Sequence, residues 1–133
     1  MLFRPILSPI YRLFAVSFVL CVALGSVVHA QNRGDDVLQD MSQAFKKNDR
    51  KRLTALLPQA KGHPLEPWAA YWELRARLDE AGSREVSAFL ERYEGTYQED
   101  RLRNDWVLLL GQRRDWSTFA AEHPKYRMGD DRE

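Results

Sequence analysis

Arg113-Arg114-Asp115-Trp116-Ser117-Thr118-Phe119-Ala120-Ala121-Glu122-His123-Pro124 echoes Lys47-Asn48-Asp49-Arg50-Lys51-Arg52-Leu53-Thr54-Ala55-Leu56-Leu57-Pro58. In both, an aspartate stands four residues before an apolar residue (Leu53, Phe119) and nine before a proline (Pro58, Pro124). An aspartate at an N-cap accepts from the unpaired amides of the first turn, and proline stops the helix that follows. With Ser83 as the cap of a middle unit, caps fall at 49, 83 and 115, separated by 34 and 32 residues. Such a period is the signature of stacked helical hairpins, about three of which are needed before each can bury its apolar faces on a neighbour. The expected fold is all-α, a right-handed, TPR-like superhelix (α-solenoid) of antiparallel hairpins. A small helical bundle with evenly spaced loops is the alternative.

The intervening segments fit this frame. Val37, Leu38, Met41, Ala44 and Phe45 recur at helical spacing behind Asp35 and Asp36, which can cap that helix, and Asn48-Asp49 breaks it. Asp49 opens a second helix carrying Leu53, Leu56 and Leu57 up to Pro58, and Gly62 and Pro64 make the next turn. A longer helix is predicted from about Leu65 to Glu80, with Pro67 tolerated in its first turn. Its Trp68, Tyr71, Trp72, Leu74 and Leu78 spread beyond one stripe, so cover on two sides is expected. Val86, Phe89, Leu90 and Tyr93 share one face of a helix between Ser83 and Gly95. Leu102 and the run Trp106 to Leu110 mark a fifth helix, about Glu99 to Gln112, buried nearly all round.

Upstream, residues 1–30 read as a cleaved export signal. Arg4 and Arg12 form a positive n-region, Leu13 to Leu24 an apolar core, and Val28-His29-Ala30 a small-residue cleavage site before Gln31. An uncleaved anchor competes, although a bilayer asks for about twenty apolar residues. Acylation of Cys21 does not fit, because Leu20 stands where a small residue is wanted. The mature domain, residues 31–133, is therefore expected in the periplasm, free of the membrane. Its 18 basic and 19 acidic residues give a formal charge of −1, without the clustered basic face of a nucleic-acid binder. The lone cysteine, Cys21, leaves with the signal, which removes disulfide, thiolate and zinc-thiolate chemistry.

Catalytic chemistry is sparse. Glu66, Glu73, Asp79, Glu80, Glu91, Glu94, Glu99 and Asp105 are plentiful enough to raise acid/base cleavage of a glycosidic bond, which needs a sheltered carboxyl of raised pKa. They alternate with Arg and Lys in the manner of solvated helix faces. His63 and His123 each precede a proline, at no metal-ligand spacing, and no phosphate loop or nucleophile elbow occurs. Trp68, Tyr71, Trp72, Trp106 and Trp116 sit among apolar neighbours and are expected in the core, with Tyr93 and Tyr97 as the exposed pair. No catalytic, cofactor or metal residue is assigned.

The string Lys61-Gly62-His63-Pro64-Leu65-Glu66-Pro67-Trp68-Ala69-Ala70-Tyr71-Trp72 resembles a segment of the N-terminal superhelical region of soluble periplasmic lytic murein transglycosylases. In the same order, Val86 to Leu90, Leu102 to Leu110 and Arg114-Asp115-Trp116 resemble later helices and a turn of that region, so the resemblance covers about Val37 to Lys125. It implies a parent enzyme that cleaves the MurNAc–GlcNAc bond of peptidoglycan without water, leaving a 1,6-anhydromuramyl end. In that family a glutamate of a Glu-Ser motif in a lysozyme-like domain does the chemistry. This chain has no Glu-Ser pair, so the resemblance carries over no catalytic residue and implies an inactive scaffold for the glycan strand. Truncation of a longer product is one expectation. A free-standing periplasmic adaptor for a protein or peptide partner is the other.

Overall fold

Six α-helices and no strand make up the part of the chain that the computed structural model describes, residues 33–128. They are α1 (33–46), α2 (Arg50–Leu56), α3 (Glu66–Ala76), α4 (Ser83–Arg92), α5 (Tyr97–Arg113) and α6 (Trp116–Glu122). Short 3-10 turns, Leu57–Ala60 and His123–Lys125, follow α2 and α6. The export signal read at residues 1–30 lies outside the described residues. No described helix is long and apolar enough to cross a membrane.

The two echoing stretches fold alike. Asn48 and Arg114 adopt left-handed backbone (φ 54° and 60°). The amides of Asp49 and Asp115 then reach back five residues, to Ala44 O (2.9 Å) and Leu110 O (3.0 Å), while Asn48 N and Arg114 N bond Phe45 O and Gly111 O. Each junction is thus a Schellman turn that satisfies the last carbonyls of one helix. It delivers an aspartate directly to the start of the next: Asp49 Oδ1 accepts from Arg52 N (3.1 Å) and Asp115 Oδ1 from Thr118 N (3.2 Å). Both resulting helices, α2 and α6, are seven residues long, and each runs into a 3-10 turn carrying its proline.

Three boundaries before α5 differ from expectation. Ser83 does not cap α4; Gly82, extended at ψ 150°, holds the N-cap, and no side chain bonds the first turn. The caps therefore stand at 49, 82 and 115, two equal steps of 33 residues. α1 is already helical at Arg33, which places Asp35 and Asp36 inside it rather than at a cap. α3 ends at Ala76, four residues early, because Arg77, Leu78 and Glu80 close tighter three-residue bonds to Leu74, Arg75 and Arg77. That turn brings Leu78, 3% exposed, into the core.

From Val37 onward the described helices form one compact unit with two apolar clusters. The first joins Val37, Leu38, Met41 and Ala44 of α1 to Leu53, Ala60 and the alanines Ala69 and Ala76 of α3. The second joins Tyr71, Leu74 and Leu78 to Val86, Phe89 and Leu90 of α4 and to Leu102, Trp106 and Leu110 of α5. α3 is covered on two sides, as its broad apolar distribution predicts. α5 packs on α3, α4 and α6, yet Leu108 and Leu109 stay half-buried, so its burial is less complete than the apolar run suggests.

The caps separate experimentally. Asp49→Ala should cost about 1 kcal/mol in chemical denaturation and Asp115→Ala should also destabilise, whereas Ser83→Ala should change stability by less than about 0.5 kcal/mol.

Candidate functional site

A groove of about 610 Å³ opens on the face built by the odd-numbered helices, from Phe45 at the end of α1, across Tyr71 and Arg75 of α3, to Arg101, Asp105 and Leu108 of α5. Helical spacing explains the arrangement. Tyr71 and Arg75 are one turn apart on α3, and Arg101 and Asp105 one turn apart on α5, so each pair faces the other across the helix contact. The Tyr71 hydroxyl donates to Asp105 Oδ2 (2.8 Å), and Arg75 Nε stands 3.0 Å from the same oxygen. The Arg101 guanidinium stands beside the Tyr71 side chain and also feels the charge of Asp105. Burial of the phenol, then the charge of Asp105 and its hydrogen bond, push Tyr71 up to about 12. It therefore stays a neutral donor. At the groove end, Arg50 pairs with Asp79 (3.2 Å) and Glu80 (2.5 Å).

The aromatic side chains beside this groove pack on one another. Trp72 lies 6.3 Å from Phe45 at 27° and 5.9 Å from Trp68 at 32°, and Trp68 also meets Tyr71 (5.9 Å) and Tyr97 (5.6 Å). These offset and tilted contacts occupy ring surface that a sugar would need for stacking. Trp106 is buried, as expected. Trp116 is not: at 60% exposure it stands on the outside of α6 against Phe119. Of the pair expected at the surface, Tyr97 is exposed, but Tyr93 is half-buried, packed on Phe89 at 4.7 Å, with its hydroxyl 3.3 Å from Glu66.

Most of the candidate carboxylates are tied to cations or amides. Glu66 accepts from Gly62 N (2.7 Å) and Arg92 (2.5 Å), which fixes the turn before α3 to α4. Glu73, 4% exposed, takes Thr54 Oγ1 (2.9 Å) and the Arg77 fork (2.6 and 3.0 Å). Glu91 and Glu94 are exposed on α4 and the turn after it. Glu99 accepts from Gly95 N (3.2 Å) and pairs with Arg103 (2.6 Å) and Arg127 (2.6 Å). Burial alone would raise the Glu99 carboxyl; the Arg103 hydrogen bond, the Gly95 amide and the charges of Arg103 and Arg127 outweigh it and hold the group below the usual range. Glu85 also shifts down through Arg77, and Asp115 through Thr118. A glycosidase acid requires the opposite direction.

The histidines serve turns and packing. His63 Nδ1 accepts from Leu65 N (3.0 Å), and His123 stacks on Phe119 at 5.2 Å and 11°. Among the described residues no group of three or more His, Cys, Asp or Glu is placed to hold a metal. Two features escaped sequence reasoning. Thr96-x-x-Glu99 starts α5 two residues earlier than predicted, Thr96 Oγ1 accepting from Glu99 N (3.2 Å), a capping pattern visible in the sequence. Arg103 is 8% exposed and reaches Glu99 and Glu122, while Asp100 accepts the Arg127 amide (3.0 Å); nothing local to these residues announces such long-range ties.

No protein-family model matches the chain, nor does any curated protein or solved structure. The groove is therefore interpreted from its own residues.

Two substitutions probe this electrostatic arrangement. The fold binds Glu99 as the carboxylate, so its contribution is full above the ordinary value of 4.5 and is lost as pH falls through the lower folded value. Glu99→Gln should cost about 3 kcal/mol at neutral pH and flatten the fall in stability below that value, read by urea titrations across pH. Tyr71→Phe should cost only about 1 kcal/mol, because Asp105 keeps Arg75, and should remove the highest-pH component of the tyrosinate absorbance titration.

Proposed function

We propose that this chain is a non-catalytic, exported helical-repeat scaffold that acts on peptidoglycan, equivalent to the N-terminal superhelical region of a lytic murein transglycosylase. The observation that carries the repeat architecture is the even 33-residue offset of the caps at 49, 82 and 115, with the same Schellman-aspartate junction at both ends of the series. Equal offsets are what stacked antiparallel hairpins require, each pair packing on the next to form a right-handed solenoid. The string from Lys61 to Trp72 that carries the family resemblance makes one coherent element in support of it. Gly62 turns in left-handed backbone at φ 81°, Glu66 accepts its amide, Pro67 sits in the first turn of α3, and Tyr71 enters the core.

The scaffold holds the polymer and leaves bond cleavage to a lysozyme-like catalytic domain. The ion-paired carboxylates favour this division of labour, since Glu66, Glu73 and Glu99 are each held by arginine. Export is read from residues 1–30, with the mature chain starting at Gln31.

Sedimentation with purified peptidoglycan sacculi tests this function. The chain should pellet with sacculi and release no 1,6-anhydromuramyl products, and the exported form should begin at Gln31. A chain that stays in the supernatant would refute the peptidoglycan assignment and leave a periplasmic adaptor for a protein or peptide partner. Release of anhydro products would refute the non-catalytic one.

A further inference from the structure

Although the chain is nearly neutral, its charge is divided between the two ends of its hairpins. The turns that join α1 to α2, α3 to α4 and α5 to α6 meet at one edge of the unit, where Arg50 reaches Asp79 and Glu80 and Arg113 donates to the Asp79 carbonyl. Around these turns, residues 46–52, 77–85 and 113–115 carry nine Lys and Arg against five Asp and Glu. Asp40, which reaches Arg52 from α1, is a sixth carboxylate, and the edge still keeps three positive charges in excess. Its carboxylates are already committed. Asp49 and Asp115 cap helices, Asp79 and Glu80 hold Arg50, and Glu85 holds Arg77. Lys46, Lys47, Lys51, Arg84 and Arg114 are all exposed and pair with no carboxylate among the described residues. The opposite ends of the hairpins, tied by Arg92 to Glu66 and by Arg127 to Glu99, have the other sign: residues 61–66, 91–100 and 122–127 carry four Lys and Arg against six Asp and Glu.

The basic edge also exposes an aromatic ring. Trp116 opens α6 directly after the Asp115 cap and is 60% exposed, more open than Leu65 or Tyr97. Side chains in a first turn lean toward the helix N-terminus, so Trp116, Lys51 and Arg84 lean outward past the turns. Cations near an anionic leaflet each strengthen binding about fivefold, and tryptophan settles at the boundary between headgroups and acyl chains, with its ring in the apolar layer and its N–H in the wet one. A dissolved polyanion would meet the charges and leave the indole in water. We propose that this edge docks on an anionic phospholipid surface, with Lys46, Lys47, Lys51, Arg84 and Arg114 at the phosphates and Trp116 in the interface. The contact is peripheral, since no described helix is long and apolar enough to cross a membrane. It stands apart from the peptidoglycan reading and does not rest on it.

Vesicle co-sedimentation tests the proposal with residues 31–133, which hold the whole compact unit from Val37 onward and omit the apolar stretch 13–24. This chain should pellet with vesicles of mixed phosphatidylglycerol and phosphatidylcholine, stay in solution with phosphatidylcholine alone, and be released by high salt. Lys46→Glu combined with Lys47→Glu should weaken binding at least about tenfold, whereas Lys61→Glu, a charge reversal at the opposite edge, should change it less than about twofold. Trp116→Ala should abolish the blue shift of tryptophan fluorescence on vesicle binding, because Trp68, Trp72 and Trp106 are already packed against the core. Helical circular dichroism should be unchanged in all these variants, since each substituted side chain is exposed. Equal binding to neutral and charged vesicles, equal losses from the two edges, or a blue shift that survives Trp116→Ala would overturn the proposal. Sacculus binding is read separately. If sacculi pellet the chain and anionic vesicles do not, the lipid surface is wrong and the peptidoglycan function stands; if vesicles pellet it and sacculi do not, the reverse holds. Sacculus binding that is lost with Lys46→Glu and Lys47→Glu, in a chain that vesicles leave in solution, would overturn the lipid proposal and assign the edge to an anionic wall polymer.

Discussion

Everything in this unit depends on α3 being covered from both sides. An amphipathic helix at a surface buries one stripe, but here eleven residues serve two clusters at once. The two faces are built differently. Toward α1 and α2 stand Ala69 and Ala76, at 0% and 8% exposure, small enough for the helices to approach closely. Toward α4 and α5 stand Tyr71 and Leu74, joined by Leu78 of the turn that follows the helix. Close packing leaves little tolerance on the alanine side, where a larger side chain would cost about 1–3 kcal/mol by overpacking. α3 is thereby fixed in rotation, and with it Trp68, Tyr71, Trp72 and Arg75, the residues that reach the groove and its aromatic flank.

What the sequence reveals and what it conceals follow from the range of the interactions. Asp49, Asp115, Pro58 and Pro124 act on their own turns, so their spacing is readable, and so are the broad apolar distribution of α3 and the single face of α4. Ser83 misleads for a local reason as well: glycine at 82 takes the extended N-cap backbone, and the serine that follows is carried into the first turn. Thr96-x-x-Glu99 was legible and outranked by the stronger apolar run downstream. The groove was not legible, because Tyr71 and Asp105 are 34 residues apart and meet only once α3 and α5 pack. Trp116 shows the same limit in reverse. Its apolar neighbours in sequence suggest a core position, yet α6 has no fully buried residue.

The buried charges divide into two uses. Glu73 with Arg77, and Glu99 and Asp100 with Arg103 and Arg127, have their oxygens bonded by partners on other turns or elements. A buried ion pair contributes little net stability over an apolar pair, because desolvation offsets attraction, but removing one partner is costly. Such ties fix where the turn after α3 and the segment after α6 lie. They also explain why abundant carboxylates bring no acid catalyst: a carboxyl bonded by guanidinium prefers to stay ionised, whereas a general acid must keep its proton near neutral pH.

Asp105 makes the same kind of tie, joining α5 to Tyr71 and Arg75 of α3. α1, α3 and α5 supply most of the groove's lining, and Arg50, the first residue of α2, stands at one end of it. On the odd-numbered helices, residues one turn apart, such as Tyr71 and Arg75 or Arg101 and Asp105, point along the same surface from hairpin to hairpin. The Schellman-aspartate junction stands at 49 and 115 but not at 82, so the surface between them is set by how α3 and α5 pack and not by a repeated turn.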